Sequence, residues 1–270
     1  MASTGLGGGA VAVPVAEQRG EASQARVDLV VVVGMRSPVE LLSTGRAESG
    51  AIGSTQGMHR LGERQLIVDP SLVHTRENGL SPILVAAYHG KPEIASFLAD
   101  KTIVLSIFEA AATGKINYVI RLLARDPMLV NAYAEDGFQA LGLACYFGHY
   151  DTAEYLARAG APINSPAHNE LKAAPIHSAA AGKHTRIVKM LLGLGADPNV
   201  REQGGFTPLH AAAQNDDVDT VRILLLGGAD LTLKSQDGKT ALDVAMDAGN
   251  EKASALLGEG VTKRFKRRNE

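Results

Sequence analysis

Four histidines are the side chains best suited to acid–base or metal chemistry in this sequence. His177 and His210 are 33 residues apart, and each follows a large apolar residue. His149 and His184 lie in short polar segments between apolar stretches. An imidazole can transfer a proton or bind a metal ion near neutral pH. Whether these four do so depends on the elements that hold them.

Three aspartates form the other group that could bind a cation. Asp216, Asp217 and Asp219 are close in sequence but lack the spaced oxygen ligands of a calcium loop. We interpret them as solvated turn and helix-start residues, which the helix dipole favours. The sequence also has no His-Glu-x-x-His, no Gly-x-Ser-x-Gly and no glycine-rich loop followed by Lys-Ser or Lys-Thr. We therefore expect no metal, no cofactor and no catalytic activity.

The composition of the whole chain narrows the possible partners. Its 27 basic and 29 acidic residues give a net charge of −2, so no general field attracts nucleic acid or anionic lipid. Cys145 is the only cysteine, which excludes an intramolecular disulfide and fits a reducing, cytoplasmic compartment. We expect Cys145 to be a small buried packing residue. The apolar run at 27–33 is too short to cross a bilayer and lacks the features of a signal peptide.

The stretch from Gly205 to Asp230 shows which elements hold the histidines. Thr207 can cap a helix through its hydroxyl group, and Pro208 fits the first helical position. After a polar turn, apolar residues follow at the spacing of one face of a second helix, and a Gly-Gly pair ends that helix. The stretch therefore predicts a helix, a turn, a second helix and a loop.

The same unit recurs along the chain. The buried leucine position of the first helix is occupied successively by Ile83, Ile107, Leu141, Ile176, Leu209 and Leu242. The successive separations are 24, 34, 35, 33 and 33 residues. The interval of 35 predicts a loop two residues longer across positions 165–172. The interval of 24 predicts that a hairpin after Leu98 is cut short by about nine residues, with residues 100–104 in its place.

These units resemble the ankyrin repeat. The motif residues are Thr207-Pro208-Leu209-His210-Ala211-Ala212, a helix ending at Leu224-Leu225, and Gly228-Ala229-Asp230. The resemblance implies an all-α solenoid of stacked helix-turn-helix units with short β-hairpin-like loops. It also implies that His177 and His210 bond to the backbone of a neighbouring loop, and we assign His149 and His184 a similar structural role.

The repeats set the expected boundaries. We expect an ankyrin repeat domain over residues 58–260 with five to six repeats, including a worn N-terminal cap at 60–68 and a last helix at 250–257. Residues 1–57 are low in complexity and predict a disordered leader, and Met35 or Met58 is an alternative native start. Residues 261–270 form a basic tail whose contact with nucleic acid would be weak and sensitive to salt.

The resemblance places partner binding on the concave side, at hairpin tips and at the exposed ends of first helices. Aromatic anchors dominate binding energy at interfaces. We therefore expect a non-catalytic module, monomeric, that binds a protein or peptide. The alternative is a regulatory or inhibitory subunit that docks on an enzyme while its basic tail contacts an acidic partner. Tyr146 and Phe147 could instead fill the gap beside the shortened hairpin. The expected contact residues are Tyr88, Phe138, Tyr146, Phe147, Phe206, Gln214 and Asn215.

Overall fold

The computed structural model describes residues 80–268, with side chains described for residues 80–260. The predicted leader at 1–57, the predicted cap at 60–68 and the rest of the range up to residue 79 lie outside the described residues. Contacts divide the described chain between Leu105 and Ser106 into two compact units, and each is described by itself.

The first unit, residues 80–105, contains one helix pair. Helix α1 spans Pro82–Tyr88 and helix α2 spans Pro92–Lys101. The Ser81 hydroxyl oxygen accepts a hydrogen bond from the backbone N–H of Leu84 at 3.4 Å and so caps α1. Prolines occupy the first position of both helices, where their missing N–H groups cost nothing.

The second unit, residues 106–268, contains five helix pairs in two layers. First helices pack side by side in one layer and second helices in the other. The pairs are α3 (Ile107–Ala112) with α4 (Ile116–Arg125), α5 (Ala140–Tyr146) with α6 (Tyr150–Arg158), α7 (Pro175–Ala181) with α8 (Thr185–Gly193), α9 (Pro208–Gln214) with α10 (Val218–Leu226), and α11 (Ala241–Asp247) with α12 (Glu251–Arg268). Within residues 80–268, β structure is limited to isolated bridges such as Tyr133–Gln139. The predicted all-α fold of stacked helix pairs is confirmed.

The connections between pairs have the predicted lengths. Fourteen residues join α4 to α5, α8 to α9 and α10 to α11. Sixteen residues join α6 to α7, which accounts for the longer loop, and five join α2 to α3, which is nine fewer than the usual connection. Backbone bonds tie consecutive hairpin tips together: the His168, Gln203 and Gln236 N–H groups donate to carbonyl oxygens of the preceding tip at 2.7–2.8 Å.

The repeated apolar position is buried in five of its six copies. Ile83, Ile107, Leu141, Ile176 and Leu209 are 0–2% exposed. Leu242 is only half-buried, because no further first helix packs on α11 in the described chain. Beside this position, the alanines of α9 keep the helix surface thin, so the neighbouring first helices pack closely.

The start of α9 differs in detail from the prediction. Thr207 is the N-cap residue, but its hydroxyl group lies 2.8 Å from His210 Nδ1. The same nitrogen accepts the Thr207 backbone N–H at 3.2 Å. The imidazole therefore closes the helix start, which the sequence assigned to the threonine hydroxyl alone.

Helix α12 corrects the predicted end of the last repeat. The prediction placed that helix at 250–257, followed by a tail, whereas the helix runs over 18 residues to Arg268. Gly258 and Gly260 do not end it. Basic residues near a helix C-terminus interact favourably with the helix dipole, which helps to explain the continuation.

Candidate protein-binding surface

A ladder of hydrogen bonds fixes the ends of the first helices relative to one another. In four consecutive repeats, a side chain in the turn before the second helix bonds to a carbonyl oxygen at the end of the preceding first helix. The pairs are His149 Nε2 with Ala112 at 2.9 Å, His184 Nε2 with Tyr146 at 3.0 Å, Asn215 Nδ2 with Ala181 at 3.1 Å, and Asn250 Nδ2 with Gln214 at 2.7 Å. Each repeat thereby holds the residues that the previous repeat presents at this edge.

Tyr146 and Phe147 form an aromatic pair at the end of α5. Their ring centroids are 5.1 Å apart and the ring planes meet at 84°, an edge-to-face arrangement. Both residues are half-buried, so part of each residue stays exposed to solvent. The ladder bond from His184 to the Tyr146 carbonyl holds the backbone of the pair in place.

The next repeat presents almost no side chain beside this aromatic pair. The equivalent residues at the end of α7 are Ala181 and Gly182. A Cβ added to Gly182 would lie 2.5 Å from the Tyr146 carbonyl oxygen and 2.6 Å from the His184 ring. Close packing therefore requires glycine here, and Ala181 and Gly182 form a step of small residues after the aromatic pair.

Gln214 and Asn215, at the end of α9, have different roles. Gln214 is exposed. The Asn215 amide donates to the carbonyl oxygens of both Ala180 and Ala181. Its donor group thus holds the repeats together, and a partner contact at Asn215 stays a prediction.

The structure buries Phe206, which the sequence predicted to contact a partner. It is 6% exposed and its ring centroid lies 5.1 Å from that of His210. The next hairpin crosses its loop, where the Gln236 N–H donates to the Gly204 carbonyl at 2.7 Å. Phe138, at the equivalent position, is half-buried and keeps some exposed ring.

Tyr88 belongs to the other unit. It is the last residue of α1 and is half-buried. Within the second unit, the structure brings Tyr146, Phe147 and the Ala181–Gly182 step together with Asn215.

Comparison with known proteins identifies the family. A family model described as ankyrin repeats, in three copies, matches residues 54–167 and 176–266. The chain belongs to the ankyrin repeat family. It is also 32% identical over 144 residues to the ankyrin repeat and KH domain-containing protein mask of Drosophila melanogaster. The match covers 48% of this chain and only 4% of that protein.

The ankyrin histidines have the structural role that the resemblance implied. His177 Nε2 lies 3.2 Å from the Phe206 carbonyl oxygen, and His210 Nε2 lies 3.1 Å from that of Lys239. Burial lowers the pKa of His177 to about 4 and also lowers the pKa of His210. Neutral rings fit these sites, since Nδ1 accepts a backbone N–H in both.

Other candidates for chemistry also have structural partners. Asp216 Oδ1 accepts the Ala253 N–H at 2.9 Å, and Asp217 Oδ1 accepts that of Thr220 at 3.1 Å. Cys145 is fully buried, and burial raises the pKa of its thiol well above the usual range. Among residues 80–268, no three His, Cys, Asp or Glu residues are grouped to hold a metal ion. No helix in that range is long and apolar enough to cross a bilayer.

Sequence reasoning missed one aromatic pair of this ankyrin unit. The rings of Tyr133 and His168 stack at 3.5 Å with planes 9° apart. Tyr133 lies at the base of one hairpin and His168 in the longer loop after α6. The two extra residues of that loop were visible in the sequence, but their spacing did not show which side chain the loop would bring to Tyr133.

Proposed function

We propose that this ankyrin repeat chain captures a protein or peptide segment on the concave edge formed by the ends of α5, α7 and α9. Ankyrin repeats are protein–protein interaction modules, and the finer assignment rests on this one edge. The observation that carries it is the half-exposed aromatic pair beside a step at which glycine is required. We define the concave step as Tyr146, Phe147, Ala181, Gly182 and Gln214.

The shape of the concave step favours an extended segment with a large apolar side chain. Such a side chain fits over Ala181 and Gly182, with the Tyr146–Phe147 pair on one side. Gln214 on the other side offers both an amide donor and a carbonyl acceptor to the backbone of the segment. Phe138 stays in the proposal as an outer contact, whereas Phe206 and Asn215 do not.

We propose a non-catalytic role, because the histidines and aspartates that could take part in chemistry have structural hydrogen-bond partners. His177 and His210 connect loops, and Asp216 and Asp217 accept backbone N–H groups. We further propose that the chain acts as a monomer in the cytoplasm, where its single buried cysteine requires no oxidising conditions.

The test is affinity capture with matched variants of the full chain. One variant carries Tyr146→Ala and Phe147→Ala. The control carries Tyr118→Ala and Tyr155→Ala, which truncate two half-buried tyrosines on second helices. We expect a specific partner retained by the wild type and by the control, and bound roughly 30-fold more weakly by the first variant, as for a loss of about 2 kcal/mol at an interface hot spot.

Stability measurements separate binding from packing. If the Tyr146–Phe147 variant melts at a lower temperature yet binds the partner equally well, the pair fills a gap and the proposal is wrong. If the partner is an enzyme whose activity changes on binding, the chain is a regulatory subunit that uses the same site.

A further inference from the structure

The third residue of a first helix decides how the following hairpin is held. In α7 and α9 this residue is a histidine, His177 or His210, whose Nδ1 accepts the backbone N–H of the residue before the helix. Its Nε2 donates to the last carbonyl oxygen of the following hairpin, that of Phe206 at 3.2 Å or that of Lys239 at 3.1 Å. We call this pair of hydrogen bonds the imidazole anchor. It fixes each of these two hairpins to the helix before it.

Two other hairpins of the second unit lack the imidazole anchor. One, at 133–138, follows the α3–α4 pair, and the third residue of α3 is Glu109. The Glu109 carboxylate accepts the Ser106 N–H at 2.8 Å, and carboxylate oxygens cannot donate to the carbonyl oxygen of a hairpin. The other hairpin, at 167–173, follows the α5–α6 pair. The third residue of α5 is Gly142, and the start of this helix has no side-chain cap hydrogen bond.

The two hairpins without an imidazole anchor are joined to each other. The His168 N–H donates to the Gly137 carbonyl oxygen, and the Asn169 side-chain amide donates to that of Asp136, both at 2.8 Å. The His168 ring also stacks on the ring of Tyr133. Contacts between the tips therefore connect this pair, although no imidazole fixes it to the helices.

We propose that residues 133–138 and 167–173 form a flap that opens and closes as one body on the concave side of the second unit. Elements with few anchoring contacts open locally at a lower free energy than the whole fold. A backbone hydrogen bond from the Gln203 N–H to the Leu171 carbonyl oxygen, at 2.8 Å, connects the flap to the next hairpin. We place the hinge at this bond.

The flap carries one of the aromatic residues of the concave side. Phe138 lies in the flap, whereas Tyr146 and Phe147 lie at the far end of α5. Opening of the flap therefore changes the gap between Phe138 and the aromatic pair. That this gap receives a partner segment rests on the proposed function, but the motion itself does not.

Packing does not explain the glycine that removes the anchor from α5. A Cβ added to Gly142 would lie 3.7 Å from Phe138 Cδ1 and 3.9 Å from Ser178 Oγ, which are ordinary contacts. Gly182, in contrast, has no room for a Cβ. Natural sequences depart from local rules mainly at functional sites, so the missing side chain at Gly142 favours a part of the molecule that must move.

The test is native-state hydrogen exchange of the full chain, followed at single amides by NMR. The Ala134 and Ala167 N–H groups each donate to a carbonyl oxygen within their own flap hairpin, at 2.8 and 3.0 Å. The Glu202 N–H makes the equivalent bond at 2.9 Å in an anchored hairpin. A hydrogen bond changes an equilibrium by about fivefold and the anchor has two, so Ala134 and Ala167 should exchange roughly 25-fold faster than Glu202 after correction for intrinsic rates.

The variant Gly142→His should restore the anchor. Its ring can accept the Gln139 N–H and donate to the Ala173 carbonyl oxygen, as the rings of α7 and α9 do at the equivalent positions. Exchange at Ala134 and Ala167 should then slow by a similar factor, to the rate of Glu202. The matched control is Gly142→Ala, which removes glycine from the helix but adds no ring, and it should leave exchange at the flap nearly unchanged.

Four results would overturn the proposal. They are equal exchange of Ala134, Ala167 and Glu202 in the wild type, different opening free energies at Ala134 and Ala167, unchanged exchange in a folded Gly142→His variant, and equal slowing by Gly142→Ala and Gly142→His. The second would show that the two hairpins move separately, and the fourth that α5 itself unfolds. Circular dichroism checks the fold of each variant, and the first two results depend on the wild type alone.

Discussion

Replacing His177 by glutamine should have a cost that depends on pH. His177 is 0% exposed, and its Nδ1 accepts the Ala174 N–H at 3.2 Å. Its Nε2 therefore carries the proton and donates to the Phe206 carbonyl oxygen at 3.2 Å. A second proton on Nδ1 would face the Ala174 N–H donor. Burial is the largest cause that lowers the pKa of His177 from 6.5 to about 4.

The direction in which stability changes with pH follows from this lowered pKa. Since the folded pKa lies below the unfolded value, the unfolded chain takes up the proton first. The contribution of neutral His177 is complete above pH 6.5 and is lost as the pH falls through 4. The full contribution of neutral His177 to the free energy of unfolding is about 3 kcal/mol. About 2 kcal/mol of it is lost between about pH 7 and 5.

The assay is urea unfolding of the wild type and His177→Gln at several pH values from 7.5 to 5. Glutamine keeps an acceptor and a donor but does not titrate. We expect the free energy of unfolding to differ most at pH 7.5, and the difference to shrink by about 2 kcal/mol at pH 5.

Glu202 serves as a control, because its contribution to stability should change with pH in the opposite direction. It is 7% exposed, its Oε2 has no hydrogen-bond partner among the described residues, and burial raises its pKa to about 8. The contribution of neutral Glu202 to stability is complete below its ordinary pKa of 4.5 and is lost as the pH rises through 8. Glu202→Gln should therefore stabilise the protein more at pH 7.5 than at pH 5. If the difference in unfolding free energy between His177→Gln and wild type stayed constant with pH, burial of a neutral His177 would not contribute to stability as proposed.

Three further predictions concern packing. Leu209→Ala should lower the free energy of unfolding by about 2–5 kcal/mol, because it leaves a cavity. Leu242→Ala should lower it clearly less, because that side chain is half-buried. Thermal melts would compare the two variants, and equal losses of stability would contradict the repeat register. Gly182→Ala should destabilise by about 1–3 kcal/mol because its Cβ meets backbone at 2.5 Å, whereas Gly193→Ala, with open space around it, should be neutral or stabilising. Cys145 should react with a thiol reagent only at the rate of unfolding, and rapid labelling of the native protein would contradict its burial.

The period of the sequence predicted the repeats because every repeat uses the same packing position. Leu209 and Ile176 are buried as expected, and the five-residue connection after α2 matches the predicted deletion. These features depend on spacing within the chain, which can be counted directly.

The surroundings of Phe206 and Asn215 depend on contacts with the neighbouring repeat, which the sequence does not show. Phe206 is covered because the next hairpin crosses its loop, and Asn215 is used because two carbonyl oxygens of the preceding repeat lie within its reach. The spacing of residues shows neither contact. The sequence predicted that the last helix ends at residue 257. Glycine weakens a helix by only about 1 kcal/mol, and the helix continues through Gly258 and Gly260 to Arg268.

Site-specific photocrosslinking tests the concave step most directly. The captured partner is irradiated with chains carrying either Gln214→p-benzoylphenylalanine or Lys189→p-benzoylphenylalanine, since both residues are exposed but lie on different helix layers. We expect a covalent adduct with the partner from position 214 and none from position 189. An adduct from position 189 alone would place the partner on the second-helix layer and contradict the proposed binding edge.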